Sequence, residues 1–186
     1  SGSNLASATQ SLSPYDVNHR RLLASAADVR SSSYGADPVN TRTGALELRQ
    51  TDFELPGRGR SINFARIYNS KIPDINNRLG YGWNFSYNVY HYQDPVSKNI
   101  LFNFGGERSV LFTTPDGGTT LVAPPGEFDT VSRNSANQIV YRELKGTRYV
   151  FSKTVSNNMA MLEEIIDTNN NTTRLFYTAR RDVNLL

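Results

Sequence analysis

The sequence predicts a mostly β protein, built from antiparallel hairpins in a curved or winding sheet and preceded by a short N-terminal helix. Two observations carry that prediction. From Leu46 onward apolar and polar residues alternate in short runs, each bounded by glycine, proline, asparagine or aspartate, which is the pattern of half-buried strands and their turns. The apolar share is 38% and the mean hydropathy is −0.50, yet ten Tyr and nine Phe are present, so a thin core must be filled by rings that stand well on a pleated surface.

Residues 1–12 are rich in Ser, Ala and Asn and lack periodicity. Ser13 then reads as a helix N-cap, with Pro14 at the first helical position, Asp16 in the first turn, and Leu22, Ala26 and Val29 on one stripe. A helix this short and weakly apolar has to dock on something to persist. "SSSYGADP", ending at Pro38, reads as a linker. The expected organisation is a flexible arm with a short helix over 1–36, a β domain over 37–137, and further hairpins over 138–186.

Within the β part, Leu46 and Leu48 alternate with Glu47 and Arg49, and Ile62 and Phe64 flank Asn63. Trp83, Phe85, Tyr87 and Val89 read as one run with a common inward face, which leaves Tyr90 and Tyr92 free. Ile100, Phe102 and Phe104 lead through Gly105-Gly106 to Val110 and Phe112, a hairpin whose glycines supply positive φ at low cost. "TPDGGT" is a second turn, and Lys145-Gly146 reads as a tight two-residue connection. In "MLEEIIDTNNNTTRLFY" two strand-like runs are joined by Asn169, Asn170 and Asn171, which tolerate the left-handed conformation almost as glycine does.

Several chemistries find no support. Cysteine is absent, which excludes disulfides, thiolate nucleophiles and thiolate metal sites. There is no apolar run of the roughly 18 residues a membrane helix needs, and the start does not read as a signal peptide. Net charge is +3, but the basic residues pair only at Arg20-Arg21, Arg58/Arg60 and Arg180-Arg181, so no nucleic-acid partner is expected. His19 and His91 form no H-E-x-x-H motif, and His91 in "YHYQD" reads as a packed ring. No G-x-S-x-G occurs, "GYGWNF" lacks the third glycine of a dinucleotide loop, and Glu163 and Glu164 point to opposite faces of a strand. Asp167, Asn169 and Asn171 match the first positions of a calcium loop, yet Thr172 and Thr178 stand where glycine and glutamate are required. The expectation is a non-enzyme without metal or cofactor.

Four stretches in order, "DPVNTRTG", "TDFELPGRG", "FARIYNS" and "LGYGW", together resemble the N-terminal region of Rhs/YD-repeat proteins. These are bacterial polymorphic toxins, related to insecticidal toxin-complex C components and to the animal teneurins. Downstream, "DGGT", "KGTRYVF" and "LEEIIDTNNNTTRLFY" look like the first degenerate YD-type hairpins. The resemblance implies a structural role, in which hairpin arrays spiral into a shell for encapsulation of a toxin domain and the region before them starts or caps one end. It implies a secreted or surface-delivered bacterial protein, with the rest of the shell, the enclosed toxin and a delivery protein as partners. The residues it marks as structural are Asp37, Pro38, Gly44, Pro56, Gly57, Gly59, Tyr68, Gly80, Gly82 and Trp83. With at most two or three hairpins and no self-cleavage core, the chain reads as a unit of something larger. The alternative from another class is a carbohydrate-binding module that stacks sugars on exposed rings, with Tyr90 and Tyr92 as candidates.

Overall fold

The computed structural model describes residues 44–57, 60–73, 79–117, 119–153 and 158–177. The predicted helix, Asp37, Pro38 and Gly59 lie outside the described residues. Eleven strands follow in order: β1 (Glu47–Leu55), β2 (Ile62–Asn69), β3 (Trp83–Phe85), β4 (Val89–Gln93), β5 (Ile100–Phe104), β6 (Arg108–Phe112), β7 (Thr130–Arg133), β8 (Ile139–Arg142), β9 (Arg148–Phe151), β10 (Met159–Ile166) and β11 (Thr172–Arg174). No helix occurs among the described residues.

Strands β1, β2 and β3 form a small antiparallel sheet, and the remaining eight form a second sheet in the order β6-β5-β4-β10-β9-β8-β7, with β11 also on β10. Strand β10 joins the two halves of that sheet. Met159, Ala160 and Met161 pair with β4, whereas Glu164, Ile165 and Ile166 pair with both β9 and β11. Because β9 holds one edge of β10, β4 and β11 share the other, one beyond the other. Along the backbone ladder the meander β7 to β11 and the meander β4 to β6 are therefore joined by three residue pairs, with Gln93 N–H donating to Asn158 O at 2.9 Å beside them.

The large sheet curls into a half-barrel, and its side chains show why. Strands β5 and β8 stand four steps apart in the sheet, about 19 Å if it were flat. Even so, the rings of Phe102 and Tyr141 lie 4.9 Å apart, and Phe112 of β6 comes within 5.9 Å of Tyr141. Phe102 also meets Phe112 and Phe151 at 5.6 and 5.5 Å. Ile100, Ile139, Ala160, Leu162 and Ile165 fill in around these rings. An aromatic core closes best when rings from distant strands meet edge to face, and the sheet bends to allow it.

Three connections share one design. In residues 134–138, 143–147 and 167–171 the first carbonyl accepts the amide three residues on, and the first amide donates to the carbonyl four residues on, all at 2.8–3.1 Å. The fourth residue takes positive φ: Asn137 at 62°, Gly146 at 99° and Asn170 at 64°. This is a three-residue loop with a left-handed last position, the role for which glycine and asparagine are suited. Asn134 and Asp167 reinforce it with a side-chain oxygen that accepts the amides two and four residues on, at 2.8–3.0 Å.

Some expectations need correction. The run from Trp83 to Val89 is not one strand, because the chain turns after Phe85, where Asn88 N–H donates to Phe85 O at 2.9 Å. Ser86 fixes the break: its amide donates to Ala65 O and its hydroxyl to Asn63 O, so the chain finishes its pairing with β2 before entering the other sheet. The inward residue of β3 is consequently the polar Asn84, with Trp83 and Phe85 half-buried on the opposite face. The connection at Lys145-Gly146 has three residues rather than two, since Leu144 belongs to the loop.

The turn between β5 and β6 locks the two sheets together. A Cβ on Gly105 would sit 2.6 Å from Ser86 O and 2.7 Å from Phe85 O, and one on Gly106 would lie 2.9 Å from Asn84. Gly44 also has positive φ but nothing within 4 Å. Gly105→Ala should therefore cost about 2–4 kcal/mol, strain plus a backbone clash, and Gly44→Ala only about 1–2 kcal/mol, from strain alone. Urea unfolding of the two variants checks the difference; equal losses would show that contact with β3 contributes nothing.

Candidate functional site

The small sheet has two unlike faces. Cross-strand register places Leu48, Tyr68 and Trp83 in one row, Gln50, Arg66 and Phe85 in the next, then Phe53 with Phe64 and Leu55 with Ile62, all on one face. That face is open: Phe53 is 48% exposed and Leu55 55%. Arg66 crosses it and binds Asp52 with two hydrogen bonds of 2.8 Å, so its charge is neutralised locally. The ring planes of Phe53 and Phe64 lie 7° apart at 5.5 Å, and Phe85 continues the stack at 5.8 Å from Phe64. Rings stacked in this way cover one another's faces and turn their edges outward, a ridge suited to packing against protein rather than to cradling a sugar. The other face carries buried Ala65, Ile67 and Asn84 towards the half-barrel.

Of the residues marked by the sequence, Tyr68, Gly80, Gly82 and Trp83 come together at one end of this sheet. The Tyr68 and Trp83 rings lie 5.4 Å apart. Gly82, at φ 75°, is where Tyr68 would be struck, since a Cβ there would lie 2.6 Å from Cε2 of that ring. Gly80 at 107° makes only ordinary contact with Trp83. Gly44 stands just before β1, whereas Pro56 and Gly57 are exposed at the far end of the β1 and β2 strands. Tyr90 and Tyr92 are not free. They are 6% and 2% exposed, because β4 is interior to the sheet and buried on both faces, so neither ring is open to a ligand.

A polar clasp spans the mouth of the half-barrel. Arg108, the first residue of β6, donates to Asp129, just before β7, at 2.9 Å and to Tyr141 Oη at 3.2 Å. Tyr141 Oη donates to Asp129 Oδ2 at 2.6 Å, and the amide of Leu144 donates to Oδ1 at 2.7 Å. Glu127 and Glu143 stand 3.8 and 3.6 Å from the guanidinium, which also lies 4.7 Å over the Phe104 ring. Burial pushes the Asp129 carboxyl up, but the bonds from Tyr141, Leu144 and Arg108 outweigh it and hold the group below its usual range. Burial and then Asp129 push the Tyr141 hydroxyl well up, so it remains a donor. The outer strands β6 and β7 are thus tied by side chains, where a closed barrel would use backbone bonds.

The clasp continues into a cleft between the small sheet and the half-barrel. Arg60 donates to Tyr149 Oη at 2.9 Å, and Tyr149 Oη donates to Glu143 Oε1 at 3.1 Å. On the other side Arg49 pairs with Glu107. The cleft holds about 470 Å³, with Asn63, Tyr87 and Ser86 also on its walls. A second space of about 420 Å³, bordered by Leu55, Ile62 and Asp167, meets it at Arg60 and Ile165. The charged groups here are engaged with one another, and the described residues contain no group of three His, Asp or Glu that could hold a metal. Asp167 spends both carboxylate oxygens on its own turn, on the amides of Asn169 and Asn171 and on Asn171 Nδ2. A register shift between β10 and β9 at Leu162/Glu164 separates the adjacent glutamates, Glu163 accepting from Gln138 and Glu164 from Arg174.

Sequence reasoning did not find the clasp. Its members lie 21 and 33 residues apart along the chain, and nothing local links Arg108 to Asp129 or Tyr141.

Residues 36–120 match a family model described as "Domain of unknown function (DUF6531)". The match takes in the small sheet and the β4 to β6 meander and stops before β7. No curated protein matches the chain.

Asp129→Ala should destabilise the fold by about 2–3 kcal/mol, the cost of leaving a half-buried Arg108 without its partner. Tyr141→Phe, which keeps the ring, should cost about 1–2 kcal/mol. Thermal or urea unfolding measures both, and a larger loss in Tyr141→Phe than in Asp129→Ala would mean that the carboxylate is not the centre of the clasp.

Proposed function

We propose that the chain is a non-enzymatic structural module that starts or caps the β-shell of a larger Rhs/YD-type protein carrying a toxin, secreted or surface-delivered by a bacterium. The observation that carries this reading is the thrice-repeated turn of the β7 to β11 meander. An irregular half, β1 to β6, gives way to hairpins of one design, which is how an array of repeats begins: each hairpin leaves an edge for the next, and each needs its neighbours to bury its faces. The open aromatic ridge on the small sheet supports the same reading, since an exposed apolar patch with its one ion pair satisfied internally is suited to packing against the rest of a shell. The partners proposed are that shell, its enclosed toxin and a delivery protein. Glycan binding, the alternative, would need open rings elsewhere than at Tyr90 and Tyr92.

The test uses a parent shell protein containing this segment. Phe53→Glu with Leu55→Glu should leave the circular dichroism of the 186-residue chain unchanged, because both side chains are exposed, yet let protease reach the cargo domain faster in the assembled parent. Undiminished cargo protection would overturn the capping role. Saturable binding on a glycan array would favour the alternative.

A further inference from the structure

His91 occupies a singular position. It lies in the middle of the three-pair seam between β4 and β10, opposite Ala160. Its ring packs across the seam, 5.8 Å from Phe102 of β5 and 5.2 Å from Phe151 of β9, so it touches both meanders at once. The residue is 4% exposed, and Nδ1 is buried with no hydrogen-bond partner among the described residues.

Among the described residues no carboxylate is placed to receive a proton's charge there. Strand β5 carries no ionisable residue, and β10 offers Glu163 and Glu164, which bind Gln138 and Arg174. On β9, Tyr149 is engaged with Arg60 and Glu143, and Arg148 with Asn170. Tyr141 of β8 is bound to Asp129, while Tyr90 and Tyr92 project from the far face of β4. Arg133 of β7 is close enough for its positive charge to oppose protonation.

We propose that His91 is an acid-operated latch: protonation of its ring opens the β4–β10 seam and parts the β4 to β6 meander from the β7 to β11 meander. Burial, and then Arg133, push the imidazole down from 6.5 to about 4 in the closed form. The open form takes up its proton as pH falls through 6.5 and the closed form only near 4, so the seam is fully secure above 6.5 and weakens progressively down to about 4. Between pH 7.5 and 5 the opening equilibrium should rise about thirtyfold.

Hydrogen exchange on the 186-residue chain, corrected for the intrinsic pH dependence of exchange, reads this directly. Peptides covering β4 and residues 159–161 should lose about thirtyfold in protection at pH 5, while those covering β8 and β9 keep theirs. His91→Phe should abolish the difference, and His91→Gln serves where the larger ring prevents folding. Equal protection at both pH values, simultaneous loss in β8 and β9, or an acid response that survives in either variant would each overturn the latch.

Discussion

The structure depends on a ring-to-ring contact between strands that are not neighbours. Phe102 and Tyr141 meet at 4.9 Å although three strands lie between their own, and a sheet can satisfy that only by curling. The constraint follows from composition. With few aliphatic side chains available, burial has to come from large flat ones, and these fill a concave space better than they cover a flat one. Half-barrel shape, the nearness of β6 to β7 and the clasp between them all descend from this packing.

Charge is placed where the curl leaves a gap. At the mouth of the half-barrel the backbone ladder stops, and Arg108, Asp129 and Tyr141 take over as a network whose members satisfy one another. Such a network tolerates partial burial only because each donor finds an acceptor, and it fixes the two edges in one relation where apolar contact alone would let them slide. The small sheet is attached by a different device, the close approach of Gly105 and Gly106 to the backbone and side chain of β3, with Arg60 on Tyr149 and Arg49 on Glu107 as outer ties. Its inner face is thereby committed, and its outer face is left as a ridge of ring edges.

A contrast runs along the chain. Strands β1 to β6 use connections of differing length and geometry, whereas the later meander repeats a single loop three times. The loop joins β7 to β8, β8 to β9 and β10 to β11, and its left-handed fourth position gives those three hairpins a common twist. Strand β10 carries the join: one half is given to the irregular part and the other to the repeating part. Three residue pairs make that join, and a buried histidine sits at their centre.

The sequence by itself determined the hairpins and their turns. Gly105-Gly106, Gly146 and the asparagines of 169–171 announce local conformations that few other residues adopt, and alternation of apolar residues marks the flanking strands, because both signals act within a handful of positions. Gly82 was marked by the resemblance alone, and it is the Tyr68 ring that its missing Cβ accommodates. Tertiary structure alone decided the rest. The alternation from Trp83 to Val89 was misleading because Ser86 and Asn88 turn the chain through hydrogen bonds to β2 and to Phe85, and these depend on which strand lies alongside. Tyr90 and Tyr92 are buried, despite a pattern that left them free, because an interior strand has both faces covered and periodicity reports only one. The clasp, the half-barrel and the seam exist only once residues far apart in the chain have been brought together, and that pairing is set by the packing of the aromatic core as a whole.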